Sequence, residues 1–350
     1  MNYADARRVA TELEKLGYRA TERADEADVV VLETCTVRQQ SEDKTYHKLQ
    51  SLKPLKTRRP DMTVAVMGCV VGVRGNEVLE KRFPFVDVFM EPATDGLPLI
   101  AHLTQDSDHD LDLALTQQRH ALQDEMVVLP ADRRGALVSA PVAIVYGCSH
   151  ACTFCIIPQK RGIERSRPVG EIAAEVRSLV AQGVKEVVLL GQIVDRYGYD
   201  VSGGDAARGP DLADLLRAVN EVDGLERIRF LTSHPNYMTD RILQAVAELS
   251  KVMPQIEIPI QAGNNEILTA MKRGYTREQY RDLIHRVREI IPDAAIHCDI
   301  IVGFPGETEA EFEELLDFLR EAQLDRVGCF AYSPVEGATA NDLPDQLPMK

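Results

Sequence analysis

The chain has 350 residues, 45% of them hydrophobic, and a formal net charge of −15. That length supports two domains around a large core, and the composition is that of a folded protein without a bilayer-spanning apolar run or a signal peptide at Met1. Seven cysteines, an odd number, exclude a secreted disulfide framework and point to a reducing cytoplasm, and the acidic balance excludes an overall basic face for nucleic acid. RNA binding would need a local patch or a basic module elsewhere.

Residues 3–16 carry Ala6, Val9, Ala10 and Leu13 at helical spacing, with Gly17 as a stop. Val29 to Leu32 is a β-branched run that predicts a buried strand and ends in Thr34-Cys35. Residues 39–52 read as a helix. Val64 to Met67 is a second buried strand, ending in Gly68-Cys69, and Val86 to Met90 a third. The alternation predicts a small doubly wound α/β domain over residues 1–102. Sites in such sheets form at the carboxyl ends of the strands. Cys35 and Cys69 both fall just past a strand, on one rim, which favours ligands over small buried hydrophobes. Residues 103–138 are acidic early (Asp106, Asp108, Asp110) and read as a linker, with one helix near 112–124.

Residues 139–350 alternate more regularly. Strands are expected near 142–146, 186–190, 227–231, 255–260, 296–302 and 327–332. Helices are expected at 169–182, 211–221, 238–250, 277–290 and 308–322. Six such repeats predict a parallel, partly closed barrel, a partial (βα)6 TIM-like fold, with its chemistry at the carboxyl ends of the strands. The stretch Gly203-Gly204…Gly209-Pro210 lacks a strand in register and reads as a mobile loop, not a phosphate cradle. Polar clusters follow four strands: Gly191-Gln192, Thr232-Ser233-His234-Pro235, Gln261-Ala262-Gly263-Asn264 and Gly303 to Thr308. Thr308 with Glu311 forms a capping box on its own account, but four clusters on one rim point to a ligand. Asp299 is an inward carboxylate or a strand-end cap. Cys298 and Cys329 lie within strands and read as core.

The densest chemistry is Gly147 to Pro158, GCSHACTFCIIP, just after the first barrel strand. Cys148, Cys152 and Cys155 are spaced Cys-x3-Cys-x2-Cys. Thiolates suit iron–sulfur clusters and zinc. A closed zinc site takes four ligands, and His150 is too close to both neighbours to complete a tetrahedron. Three cysteines around a [4Fe–4S] cluster leave one iron open to substrate, and Phe154 would shield the cluster. No side chain is assigned as a catalytic acid or base.

This spacing, with an aromatic residue before the third cysteine, resembles the radical S-adenosylmethionine (SAM) enzymes. The resemblance implies that SAM binds the open iron and is split reductively to methionine and a 5′-deoxyadenosyl radical. Glu33-Thr34-Cys35-Thr36-Val37-Arg38 and Met67-Gly68-Cys69 further resemble the amino-terminal domain of the methylthiotransferases, the group of MiaB, MtaB and RimO. By that resemblance Cys35 and Cys69 belong to a second [4Fe–4S] cluster. Its other cysteine normally precedes a segment matched by Met1-Asn2-Tyr3-Ala4-Asp5. The chain is therefore expected to be shortened at its amino end, with the second cluster incomplete. Glu33 stands where the group has Asn, and Val70-Val71 where it often has a small residue and Gln. By the same resemblance Phe154, Gln192, Ser233, Gln261 and Arg273 line the SAM pocket, with Arg273 a bidentate partner for the SAM carboxylate. Judged from the residues alone, Arg273 is equally a solvated helix end.

Arg227 to Pro235 and Thr34 to Arg38 resemble the tRNA-modifying members. The implied reaction is methylthiolation of carbon 2 of N6-isopentenyladenosine (dimethylallyladenosine) in the tRNA anticodon loop. It implies a reduced flavodoxin- or ferredoxin-type electron donor, a sulfur source and a cytoplasmic monomer. Two other readings stand beside it: methylthiolation of threonylcarbamoyladenosine, and a non-catalytic cluster- or zinc-binding scaffold. Ile193 and Val335 depart from the group's usual Asn and Arg. The group normally ends in a β-barrel RNA-binding domain, expected to be absent here, so weak tRNA binding is expected of residues 1–350.

Overall fold

The computed structural model describes residues 1–36, 39–73, 76–93, 96–104, 129–130, 133–205 and 208–347. The helix expected near 112–124 lies outside the described residues, as do most of the 103–138 linker and residues 206–207 of the glycine-rich loop. No helix among the described residues is long and apolar enough to cross a membrane.

The first unit comprises α1 (Asn2–Lys15), β1 (Val29–Thr34), α2 (Gln39–Arg58), β2 (Thr63–Gly68), α3 (Glu77–Arg82), β3 (Val88–Met90) and α4 (Leu97–Leu103). Its strands form a parallel sheet in the order β1-β2-β3. Central β2 is buried along its whole length, as an apolar β-branched run must be when helices cover both faces. Val64 and Val66 pack with Leu49, Leu52 and Leu79 of α2 and α3. Ala65 and Met67, pointing the other way, pack with Val9 of α1 and Leu99 of α4. Helix α2 runs on past residue 52 to Arg58. Leu55 continues its apolar stripe, and Lys56 ties to Asp87 at 2.8 Å and to the Met62 carbonyl at 2.6 Å.

The second unit opens with β4 (Ser139–Ala143), β5 (Val145–Tyr146), α5 (Ile157–Arg161) and β6 (Arg165–Ser166). It continues through α6 (Val169–Ala181), β7 (Glu186–Leu190), α7 (Tyr199–Ser202), α8 (Leu212–Asn220), β8 (Arg227–Phe230) and α9 (Asp240–Glu248). Last come β9 (Gln255–Glu257), α10 (Asn265–Ala270), α11 (Arg277–Ile290), β10 (Ala295–Val302), α12 (Glu309–Ala322) and β11 (Arg326–Ala331). Parallel sheets β4-β7-β8 and β9-β10-β11 are joined by a parallel bridge between Ile228 and Val252. The six expected strands and the helices between them form the α/β barrel anticipated from the pattern. The first strand breaks at Ile144, and β5 turns away to pair antiparallel with β6. That hairpin brackets the cysteine loop.

Alternation along β10 buries Ile296, Cys298 and Ile300. Cys298 is core as expected, its Sγ accepting the Ile260 N–H at 3.3 Å. Asp299 takes the opposite, inward face; burial, together with Asp299, raises the pKa of Glu257 on neighbouring β9. Cys329 corrects the core reading: it is exposed. Among the described residues strand β11 is the sheet edge, pairing with β10 alone, and no α-helix follows it, only the 3-10 turn Thr339–Asp342.

Caps fix where the barrel helices begin. Thr308 and Glu311 form the box expected at α12. At α11 the Thr276 hydroxyl accepts the Gln279 N–H at 3.3 Å, and Gln279 Oε1 accepts the Thr276 N–H at 2.8 Å. Thr276→Ala is expected to lower stability by about 1 kcal/mol, read from urea unfolding midpoints. A change within about 0.2 kcal/mol would show that the box contributes nothing here.

Candidate active site

Strand β4 and the β5–β6 hairpin deliver the three cysteines to the carboxyl-end rim of the barrel. Gly147 (φ 68°) makes the entry possible: a Cβ there would lie 2.1 Å from the Ile163 carbonyl oxygen. The Cys148 N–H donates to the Gly162 carbonyl at 3.0 Å, closing the loop's base. Thr153 anchors the far side, its N–H donating to the Met271 carbonyl at 3.2 Å and its hydroxyl to the Ala270 carbonyl at 2.9 Å. Phe154 packs against the barrel core.

Cys148, Cys152 and Cys155 are free thiols close enough to influence one another electrostatically. Burial pushes Cys148 up to about 11 and Cys155 up to about 12, so loading iron there would release protons. N–H donors face all three sulfurs. The His150 N–H reaches Cys148 Sγ at 3.4 Å, Arg273 Nη1 reaches Cys152 Sγ at 3.3 Å, and the Ile157 N–H serves Cys155. Such donors stabilise thiolate charge, so the donor set fits a cluster. Among the described residues no three His, Cys, Asp or Glu side chains converge on a single-ion site. A closed structural zinc site takes four ligands, and three cysteines leave it one short. His150 is engaged elsewhere, its Nε2 hydrogen-bonded with Tyr237 Oη at 2.9 Å.

Arg273 is not a solvated helix end; it is 6% exposed. Its Nε donates to Tyr275 Oη at 2.9 Å and its Nη2 to the Pro259 carbonyl at 3.3 Å. No carboxylate pairs with it among the described residues, which leaves a buried cation suited to an anionic ligand. Ser233 is 5% exposed, and its Oγ has no hydrogen-bond partner among the described residues. Gln261 is held through its backbone, its N–H donating to the Asp299 carbonyl at 3.1 Å and its carbonyl accepting the Ile301 N–H at 2.8 Å. Gln192 Nε2 donates to Met1 Sδ at 3.2 Å. Thr232 (φ 73°), Gln261 (76°) and Lys272 (55°) hold left-handed backbone angles at or beside three of these positions. Strain of this kind gathers at functional sites.

The structure adds residues that the sequence did not single out. His234 lies tilted against His150 with ring centroids 4.6 Å apart, and its buried Nε2 has no hydrogen-bond partner among the described residues. Arg196 lies over Tyr199 and Tyr237, at 4.0 and 4.8 Å from their ring centroids, and pairs with Glu164 at 2.7 Å. His234 was legible only as part of a polar strand-end cluster. Arg196 follows no motif and finds its partners only through the fold.

Asp195 is buried, with both carboxylate oxygens 3.0 Å from the His234 N–H nitrogen, and burial drives its carboxyl up to about 8. Native Asp195 therefore keeps a proton between 3.8 and about 8, where the unfolded chain has released it. This group's contribution to stability thus falls as pH rises through that window and levels off above it. Asp195→Asn is expected to remove that component, giving a thermal midpoint that declines less steeply than wild type from pH 5 to 8. Parallel pH profiles for the two proteins would contradict the assignment.

The amino-terminal pair lies where the strand ends put it. Thr34 staples the two loops: its hydroxyl donates to the Met67 carbonyl at 2.7 Å, and its carbonyl accepts the Cys69 N–H at 3.2 Å. Burial raises the Cys69 thiol, opposed by Arg161, whose Nε donates to Cys69 Sγ at 3.2 Å. Burial and Asp5 lift Glu33 to about 7. Cys35 is near enough to influence Cys69. Two thiols are fewer than a cubane requires, so the described residues do not by themselves fit a second cluster.

The Radical SAM superfamily model matches residues 142–319, and the model of Uncharacterized protein family UPF0004 matches residues 1–91. A tRNA-2-methylthio-N(6)-dimethylallyladenosine synthase of Herpetosiphon aurantiacus is 43% identical over 98% of this chain and 74% of its own. The chain belongs to this radical SAM family. The synthase so named from Roseiflexus sp. is also 43% identical, over 98% of this chain and 68% of its own. One from Clostridium botulinum is 40% identical over 99% and 76%. These family names favour the dimethylallyladenosine reading over the threonylcarbamoyladenosine one, and an enzyme over a scaffold. Among solved structures, the radical SAM methyltransferase TsrM of Kitasatospora setae superposes with a TM-score of 0.62 at 16% identity, over 95% of this chain and 73% of that one. At that identity the likeness shows the fold.

Proposed function

We propose that this radical SAM transferase adds a methylthio group to carbon 2 of N6-dimethylallyladenosine in tRNA. The observation that carries the reading is 40–43% identity to synthases of that name over 98–99% of this chain. Cys148, Cys152 and Cys155 would hold a [4Fe–4S] cluster, which when bound supplies the electron that splits SAM into methionine and a 5′-deoxyadenosyl radical.

The chain's own groups do the binding. Arg273 offers the SAM carboxylate a buried guanidinium that has no carboxylate partner among the described residues. Ser233 Oγ, Gln192 and Gln261 supply polar contacts, and Phe154 the apolar wall. Residues 1–102 present Cys35 and Cys69, residues 139–350 form the SAM-binding barrel, and residues 103–138 join them. The target base lies in an anticodon loop, where it can be unstacked without opening a duplex. A reduced flavodoxin- or ferredoxin-type donor, a sulfur source and a cytoplasmic, monomeric state complete the reading.

Nucleoside mass spectrometry of tRNA from a methylthiotransferase deletion strain expressing this chain tests it. The 2-methylthio derivative of dimethylallyladenosine should appear. Unmodified dimethylallyladenosine throughout, or methylthiolated threonylcarbamoyladenosine instead, would overturn the proposal.

A further inference from the structure

The arginines beside the cysteine loop divide into two groups. Arg7, Arg161, Arg167 and Arg196 pair with the buried acids Glu175, Asp5, Glu175 and Glu164, at 3.2, 3.7, 2.7 and 2.7 Å respectively. Arg8 and Arg165 have no ion-pair partner among the described residues. These two lie together. Arg8 Nη2 donates to Tyr146 Oη at 3.0 Å, and Tyr146 faces Arg165 across the β5–β6 hairpin. Arg165 is exposed, and Ile163 in the same loop is 74% exposed. Cys148 follows Tyr146 by two residues, so the patch adjoins the cysteine loop.

We infer that Arg8, Tyr146 and Arg165 form an RNA-contact surface that receives backbone phosphates flanking the target adenosine. The inference rests on the proposed tRNA substrate. In a chain of net charge −15, exposed Arg165, with no ion-pair partner among the described residues, is a local attraction for polyanion, and half-buried Arg8, within electrostatic reach of Glu175 and Asp5, holds Tyr146 beside it. Their forked donors match phosphate oxygens. Tyr146 Oη accepts from Arg8, which leaves its own O–H to donate to a phosphate. Exposed Ile163 offers an apolar surface to an unstacked base or ribose. The ion-paired arginines beneath hold the hairpin in place.

The test is fluorescence anisotropy with a labelled RNA hairpin carrying N6-dimethylallyladenosine in its loop, titrated at several salt concentrations. Arg165→Glu is expected to weaken binding about tenfold and to lower the log–log salt slope by about 1, as loss of one phosphate contact does. Arg165→Lys should retain most of that slope. Arg326→Glu, an exposed site at the amino end of β11, should change neither quantity. Thermal midpoints should match wild type, since the Arg165 side chain has no hydrogen bond or ion pair among the described residues and its backbone pairing with Tyr146 is kept. If wild type methylthiolates tRNA but Arg165→Glu binds RNA with unchanged affinity and slope, the inference falls while the proposed function stands. If that variant instead loses reduction by an acidic electron-donor protein, the patch serves that protein and the RNA assignment is overturned. If wild type leaves tRNA unmodified, the failure lies in the proposed function itself.

Discussion

Cys152→Ser, in protein reconstituted without oxygen, is expected to lose the iron and sulfide of one cluster and to make no measurable 5′-deoxyadenosine. Supporting contacts around a metal typically cost 10- to 100-fold when removed, and a ligand must cost more, so a fall beyond about 100-fold is expected. Cys152 is the most informative of the three because Arg273 Nη1 donates to its sulfur at 3.3 Å. Serine keeps a small polar side chain there, but a hard oxygen is a poor ligand for this iron. Two controls give the result meaning. Cys298→Ser alters a buried thiol that accepts a backbone N–H, and should lower stability without changing iron content. Cys329→Ser alters an exposed edge-strand thiol and should change neither. Equal iron in Cys152→Ser and wild type would remove the cluster from this loop.

The two periodicities, of strand and helix, carried most of the architecture. Strand ends could be read from apolar runs that stop at Thr34, Gly68 or Leu190, because a buried parallel strand needs apolar residues on both faces. That pattern alone sets Cys35, Cys69 and Gln192 just past strand ends. What escaped was chemistry assembled from distant segments. Arg161 belongs to the cysteine loop in sequence, yet it donates to Cys69, ninety-two residues away. The local pattern around residue 161 is merely basic and could not reveal a thiol partner in another sheet. Cys329 failed for a related reason. Its position in a strand is correct, but burial depends on what covers the strand, and no described α-helix follows β11. Arg273 was ambiguous because a cation after a short helix is usually solvated. Only the fold shows it enclosed by Pro259, Tyr275 and Cys152.

That enclosure makes Arg273→Met the other change with a large expected effect, and one in which stability and function separate. A buried ion pair, when broken, strands the remaining charge and destabilises by several kcal/mol. Arg273 has no carboxylate partner among the described residues, so its removal strands none. Tyr275 Oη still donates to the Ile260 carbonyl at 2.7 Å, and methionine refills much of the volume. The thermal midpoint should therefore stay near that of wild type or rise. SAM affinity should fall about 100-fold, the value of two charge-assisted hydrogen bonds at about 1.5 kcal/mol each. Isothermal titration with SAM, beside an iron count for each protein, distinguishes the outcomes. Weakened SAM binding at full iron content marks a cofactor-binding cation. A collapsed midpoint with unchanged SAM affinity would mark a structural arginine that merely props the cysteine loop against the turn at residues 271–275. The two roles predict opposite signs because the hydrogen bonds to Tyr275, Pro259 and Cys152 only partly offset desolvation of a guanidinium that lacks a carboxylate partner among the described residues, until an anion arrives to share the cavity.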